Sequence, residues 1–410
     1  MKTFVNLIVI TAFIASCSSE KQSKDDLAYI DVRKNYPEKE IFLTDIADVT
    51  YLYLNSDDDD YLYRGRINYI APNTVVVYDW SSGSILFFSR DGTPKSRFNR
   101  RGQGPGEYGS GIWDMIYDEA ADELFVNDWN ALRVYSSMGE YKRTIARPQG
   151  TEPLYIIDFD AHSLFFFDYS IENKRNYALF TMEHLPTDDY FLPFYRISKT
   201  DGEVLDYVEL PGTNLLLGAY YKGTYFGVTY NGMWRQAQLR FAMKCPEGVL
   251  LCNHQTDTIF LYRGDKSLTP VLCKTPSATS LNPVEYLNNS LDRGLYQFIQ
   301  VNIMREDVFP LFYPAKYYMR NKKTGEIVRT KFLLPDYKGK EFIMDPMRPN
   351  TEGSVAADGI IYDDGYCFEL SLFELKQAYR ENKLSGKLKE LVATLNEDED
   401  NNVFMLVKFK

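Results

Sequence analysis

Two neighbouring segments of this chain align with one another, and that repeat constrains the fold more than any other feature. Ile67–Phe98 reads INYIAPNTVVVYDWSSGSILFFSRDGTPKSRF, and Trp113–Ile145 reads WDMIYDEAADELFVNDWNALRVYSSMGEYKRTI. Each has a strand, a turn and an apolar strand ending in Asp-Trp, at Asp79-Trp80 and Asp128-Trp129. Each continues with another apolar strand, a turn closed by Gly92 or Gly139, and a fourth strand. The Asp-Trp pairs lie 49 residues apart. Four strands per unit near that period is the pattern of a β-propeller blade.

Later units diverge but keep the pattern. Ile156–Leu210 carries SLFFFDYS and a long insertion, Leu239–Lys274 is rich in apolar strand residues, Phe309–Leu334 follows, and a last unit runs from about Gly353 to Lys410. Dividing Arg64–Lys410 by six gives about 58 residues per unit, which accommodates six blades with insertions. Aromatic residues make up 15% of the chain, as 32 Tyr, 26 Phe and 4 Trp, and such side chains suit a pleated, half-buried surface. The expected fold is therefore all-β: a six-bladed propeller of four-stranded antiparallel blades. Helix is expected only in short insertions, with some helical character at Asn282–Tyr296 and better periodicity at Ser371–Asn382 and Lys387–Asn396. A propeller must close its ring, so Val403–Lys410 is expected to share a blade with a strand near Val49–Leu54.

The N-terminus sets the compartment. Lys2 precedes an apolar stretch from Phe4 to Ala15, too short to span a bilayer, and Ile14-Ala15-Ser16-Cys17 has the form of a bacterial lipobox. The expected organisation is a signal peptide over 1–16, lipidated Cys17 with a flexible tether over 17–40, and one propeller over 41–410. The expected location is the outer membrane, on its periplasmic or cell-surface face, with the lipid as the only membrane contact. Cys245, Cys252, Cys273 and Cys367 show no CxxC spacing and sit mostly in apolar runs, so buried free thiols are expected.

Between the first two repeats lies Gly102-Gln103-Gly104-Pro105-Gly106-Glu107-Tyr108. With the strand start Asp257-Thr258-Ile259-Phe260, the acidic-Asn stretch Glu397–Asn402 and the lipobox, the chain resembles the 6-bladed β-propeller lipoproteins of Bacteroidetes, which are related in fold to NHL-repeat and TolB-like propellers. The resemblance spans nearly the whole mature chain and implies fold and phylum, but little about activity. Asn402-Val403 departs from the Asn-Pro that the resemblance leads one to expect.

Candidate chemistry is sparse. The formal net charge of −11 argues against nucleic acid as a partner. Only His162, His184 and His254 are present, none near another in sequence, so a His-based metal site is poorly supplied. The Gly-rich loop with Arg97, Arg100 and Arg101 has the donors to cradle an anion, but no GK[ST] follows, and glycines that permit a tight blade crossing are the favoured account. The run Asp57–Asp60 lacks calcium-loop spacing and reads as a solvated loop. Asp79, Asp128 and Asp168 each precede an aromatic residue, Trp80, Trp129 and Tyr169. An aromatic beside a carboxylate can stack on a sugar while the carboxylate takes its hydroxyls. A repeated Asp is also what a turn needs to satisfy backbone N–H groups, and repetition across blades favours that structural role. Thr213–Gln236, rich in Gly and Tyr, reads either as a covering loop or as inter-blade core.

The expectation is a non-catalytic binding module for an envelope protein or a glycan, with Asp79, Trp80, Asp128, Trp129, Asp168, Tyr169, Arg100 and Arg101 as candidate contacts. No catalytic residue, metal or cofactor is assigned. A polysaccharide-active glycosidase or lyase and a structural subunit of an envelope complex are the alternatives.

Overall fold

The computed structural model describes residues 27–56, 58–109, 111–128, 131–147, 154–168, 194–211, 220–221, 224–225, 227–230, 233–236, 242–252, 257–288, 290–303, 305, 314–344, 360–362 and 365–410. Among them, six sheets of four or more strands form the blades of a propeller. Blade 1 runs Gly65–Ile70, Thr74–Asp79, Ser84–Ser89 and Pro94–Phe98. Blade 2 runs Ile112–Asp118, Glu123–Asp128, Leu132–Tyr135 and Tyr141–Ile145. Blade 3 spans Leu154–Phe159 to Val204–Val208, blade 4 Ala242–Cys245 to Leu268–Thr275, and blade 5 Glu285–Leu287 to Tyr337–Phe342. The innermost strands of blades 1 to 4 touch in succession, that of blade 4 touches Leu291–Arg293 of blade 5, and that of blade 6, Ile360–Tyr362, touches blade 1.

The middle strands explain why the chain adopts this form. Thr74–Asp79 is buried at every position, because one face packs on each neighbouring blade. Side chains alternate across a strand, so Val75 and Val77 join the layer shared with blade 6, while Val76 and Tyr78 join the layer shared with blade 2. Aromatic rings fill these layers: Phe87 of blade 1 meets Tyr117 of blade 2 edge-on at 5.3 Å, and Phe165 of blade 3 stacks on Tyr262 of blade 4 at 5.3 Å. The inner strands of blades 1, 2 and 3 each shift register once, between Ile67 and Tyr69, Ile112 and Asp114, and Ile156 and Asp158. Such bulges bend a strand and sharpen its twist.

The ring closes as expected. Ala47–Tyr53 pairs antiparallel with Val403–Phe409, Val49 opposite Val407, so both ends of the chain share blade 6. The helices Leu372–Arg380 and Gly386–Thr394 also match expectation. They sit between the second and third strands of blade 6, with Leu375, Leu388 and Val392 fully buried in the cluster that holds Leu334 and Tyr337 of blade 5.

Two expectations are corrected. The stretch 17–40, read as a flexible tether, is ordered in much of its described part: Ala28–Asp31 adds a parallel fifth strand to blade 4, and Glu38–Phe42 pairs parallel with the Ile327–Leu334 strand of blade 5. Period-2 alternation drives the first of these, since Ala28, Ile30 and Val32 are buried and Tyr29 is exposed. Asn282–Tyr296, read as partly helical, instead holds the strands Glu285–Leu287 and Leu291–Arg293, with Tyr296 opening another. Pro283 and Gly294 break any helix there, and Leu287, Leu291 and Arg293 are buried in sheet. Thr213–Gln236 contains two small hairpins, Tyr220–Tyr221 with Thr224–Tyr225 and Gly227–Tyr230 with Met233–Gln236, and its side chains lie outside the described residues.

Closure is reinforced by Asn401. Its amide donates to the carbonyls of Leu54 at 2.9 Å and Tyr61 at 3.0 Å, and its oxygen accepts from the Tyr63 amide at 3.2 Å. One buried side chain thus holds the crossing from blade 6 to blade 1. Asn401→Ala strands these backbone groups, and we expect it to destabilise the chain by about 2–4 kcal/mol, read as a lower unfolding midpoint in urea with the folded circular dichroism spectrum unchanged.

Candidate functional site

The candidate residues gather where second strands end and innermost strands begin, here called the upper face. Asp79 lies opposite Gly65, Asp128 opposite Ile112, and Asp168 opposite Leu154, so all three occupy one blade position. The Gly-rich crossing from blade 1 to blade 2 lies on the same face. Trp129 and Tyr169 lie outside the described residues, as does the side chain of Asp168.

The Asp79 carboxylate is turned into its own loop. It accepts from the hydroxyls of Ser81 at 2.7 Å and Ser82 at 2.6 Å, and from the amides of Ser81 at 3.0 Å and Arg64 at 3.1 Å. Burial alone pushes its pKa up, but the hydrogen bonds from Ser82, Ser81 and Arg64 outweigh it and hold the carboxyl below the usual range. Asp128 is fully buried and repeats the arrangement, accepting from the amides of Ala131 and Gly109, each at 2.8 Å, and pairing with Arg133. In both blades the Asp ties the turn after the second strand to the residues just ahead of the innermost strand. Sequence repetition of Asp here reports that staple.

The Gly-rich crossing also consumes its own anion. The Glu107 carboxylate accepts from the Gly104 amide at 2.8 Å, and a Cβ on Gly102 would lie 1.9 Å from a Glu107 carboxylate oxygen. Tyr108 and Tyr135, both fully buried, donate their hydroxyls to the carbonyls of Gly83 at 2.8 Å and Gly106 at 3.0 Å. The glycines therefore serve close approach of backbone to side chain. In the acidic run, Asp60 pairs with Arg97, and Asp57 lies outside the described residues.

Among the described side chains left facing solvent are an aromatic one and two cationic ones. Trp80 is 47% exposed. Its amide donates to the Arg64 carbonyl at 3.1 Å, which sets the exposed Arg64 beside it. Gly83 closes the same turn, and the aliphatic stem of exposed Arg101 lies across it, with a Cβ on Gly83 falling 2.6 Å from Arg101 Cδ. Neither guanidinium has a hydrogen-bond or ion-pair partner among the described residues. Arg100, by contrast, donates from Nε to the Gly139 carbonyl at 3.0 Å. In the layer shared with blade 2, the buried hydroxyl of Tyr78 has no hydrogen-bond partner among the described residues. Burial pushes that phenol up, and the nearby Arg101 guanidinium pulls it partly back. Arg64 and Tyr78 were not singled out in the sequence. Hairpin pairing of Arg64 with the residue after Asp79 was the signal that could have found it.

Among the described residues, no group of three or more His, Cys, Asp and Glu is placed to hold a metal ion, and no helix is long and apolar enough to cross a membrane. Cys245, Cys252 and Cys367 are buried free thiols, and Cys273 is a half-buried one.

Comparison with known families settles the fold's relationship. Residues 18–267 match the model of the DUF5128 family, described as a 6-bladed beta-propeller. The chain belongs to that family. A crystal structure of a candidate exported protein from Bacteroides fragilis superposes with TM-score 0.57 at 14% identity, covering 94% of this chain and 99% of that one. A DUF4221 family member from Bacteroides vulgatus gives TM-score 0.44 at 11% identity, covering 89% and 97%. No curated protein sequence matches.

Because the Asp79 pKa is depressed in the fold, its contribution is present above the unfolded carboxylate pKa and is lost as pH falls through the folded value. Asp79→Asn mimics the protonated state. We expect it to be less stable than wild type at pH 7 by about 1–3 kcal/mol, with the gap closing as pH falls below the ordinary Asp pKa of about 3.9, as read by urea unfolding at a series of pH values.

Proposed function

We propose that this family member is a lipid-anchored envelope propeller that binds a protein or glycan on its upper face without transforming it. The observation that carries the binding reading is Trp80, an indole left 47% exposed on a rigid turn whose carboxylate is already committed. A large aromatic held in water by a stiff loop is the usual anchor of a recognition surface. The reading without catalysis rests on Asp79 and Asp128. Each is fixed as an acceptor of several turn donors, whereas an acid–base residue needs a proton it can exchange with substrate. The anchor rests on Cys17 and the small residues before it. Similarity in fold to a candidate exported Bacteroides protein agrees with an envelope location.

Two expected outcomes test this. Cys17→Ser should move the chain from the membrane pellet to the soluble fraction on fractionation; retention in the pellet contradicts the anchor. On glycan arrays and in pull-downs from envelope extracts, the wild type should retain a ligand without releasing product, and Trp80→Ala should lose about 2 kcal/mol of binding. Product release, or binding indifferent to Trp80→Ala, contradicts the reading.

A further inference from the structure

We infer that the cluster Arg64–Trp80–Arg101 is a binding subsite for an acidic glycan, a sugar ring bearing a carboxylate. This rests on the reading of the upper face as a binding surface and names its ligand class.

Local charge runs against that of the whole chain. The whole chain carries −11, yet Arg64–Gly109 carries seven Lys or Arg against three Asp or Glu. Two of those three acids face inward near the cluster. Asp79 is occupied by Ser81, Ser82 and the Arg64 amide, and Glu107 by the Gly104 amide. The third, Asp91, is bound by the Ser89 hydroxyl and the Thr93 amide in a different turn of blade 1. The Arg64 and Arg101 guanidiniums are left with no partner among the described residues; Arg64 is tied by its backbone to Trp80, and the Arg101 stem lies across Gly83 in the turn that carries the exposed indole.

Unpaired guanidiniums at fixed positions suit planar oxyanions, which they bind through two parallel N–H···O bonds. Their stems are positioned by backbone: Arg64 flanks Trp80 through the 3.1 Å amide–carbonyl bond, and Arg101 is laid across Gly83. Any side chain at Gly83 would displace that stem, and its φ of +83° favours glycine in any case. The Tyr78 hydroxyl, only 6% of the residue being exposed, is a further polar group without a partner among the described residues and lies within electrostatic range of Arg101.

Size selects a glycan over a protein. A stable protein interface buries about 1,600 Å² around several apolar anchors. Among the described residues here, one indole stands among Ser81, Ser82, Asn99 and two arginines, all polar and exposed. An indole face takes the C–H face of one sugar ring, and a guanidinium at its margin takes that ring's carboxylate.

The test uses the full chain in detergent, titrated by calorimetry with oligogalacturonate, its methyl ester and a poly-glutamate peptide. The methyl ester keeps the ring and removes the charge. Oligogalacturonate should bind, more weakly as salt rises, and the methyl ester should bind at least tenfold more weakly. Arg64→Gln and Arg101→Gln should each cost about tenfold in affinity, the loss of one charge-assisted contact, with unchanged thermal midpoints, and Trp80→Ala should cost at least as much. Equal binding of acid and ester overturns the inference while leaving a glycan-binding face intact. Binding of poly-glutamate but not oligogalacturonate overturns it in favour of an acidic peptide. No binding of oligogalacturonate, or binding insensitive to both arginine substitutions, overturns it outright.

Discussion

Everything in this structure depends on burying both faces of the middle strands of each blade. A strand such as Thr74–Asp79 has no solvent side, so it is stable only between two other sheets. A ring supplies that condition for every blade at once, provided it closes. Pairing of Ala47–Tyr53 with Val403–Phe409 supplies the closure, and the strands Ala28–Asp31 and Glu38–Phe42 then run along the outer edges of blades 4 and 5. Outer edges of sheets are exposed to unwanted pairing, and the N-terminal segment covers two of them.

The same constraint shapes the upper face. A ring of twisted sheets must be joined by crossings that pass close over the neighbouring turns. Asp79, Asp128 and Glu107 each place a carboxylate where those crossings leave amides unpaired. Tyr108 and Tyr135 do the converse, giving hydroxyl protons to crossing carbonyls. Acidic side chains are spent on structure in this region, and cationic and aromatic ones are left over. The character of the face is in that sense a by-product of how the blades are stitched.

Much of the fold was legible because the signals are local. Blades 1 and 2 follow from alternation, apolar runs and the turn glycines Gly92 and Gly139, which take φ of +90° and +79°. Closure was legible from the apolar strand at the C-terminus. The added strand at Glu38–Phe42 was not, because its side chains are mostly charged and exposed and its pairing partner lies about 290 residues away. Asn282–Tyr296 misled because its apolar spacing is short and fits more than one period. At the site, the Asp-Trp pairs were visible, and repetition of Asp pointed to a turn role, but the particular amides and hydroxyls it takes were not. The role of Arg64 depends on a hairpin register, and that of Arg101 on its close approach to Gly83, neither of which a linear pattern records.

The central claim is that the upper face between blades 1 and 2 is where this propeller meets its ligand. Hydrogen–deuterium exchange on the full chain, with and without oligogalacturonate, locates the contact without substitution. The account predicts slowed exchange confined to peptides covering 62–66, 79–84 and 99–108. Protection centred instead on the innermost strands of blades 3 to 5, or on the outer edges of the blades, would contradict it.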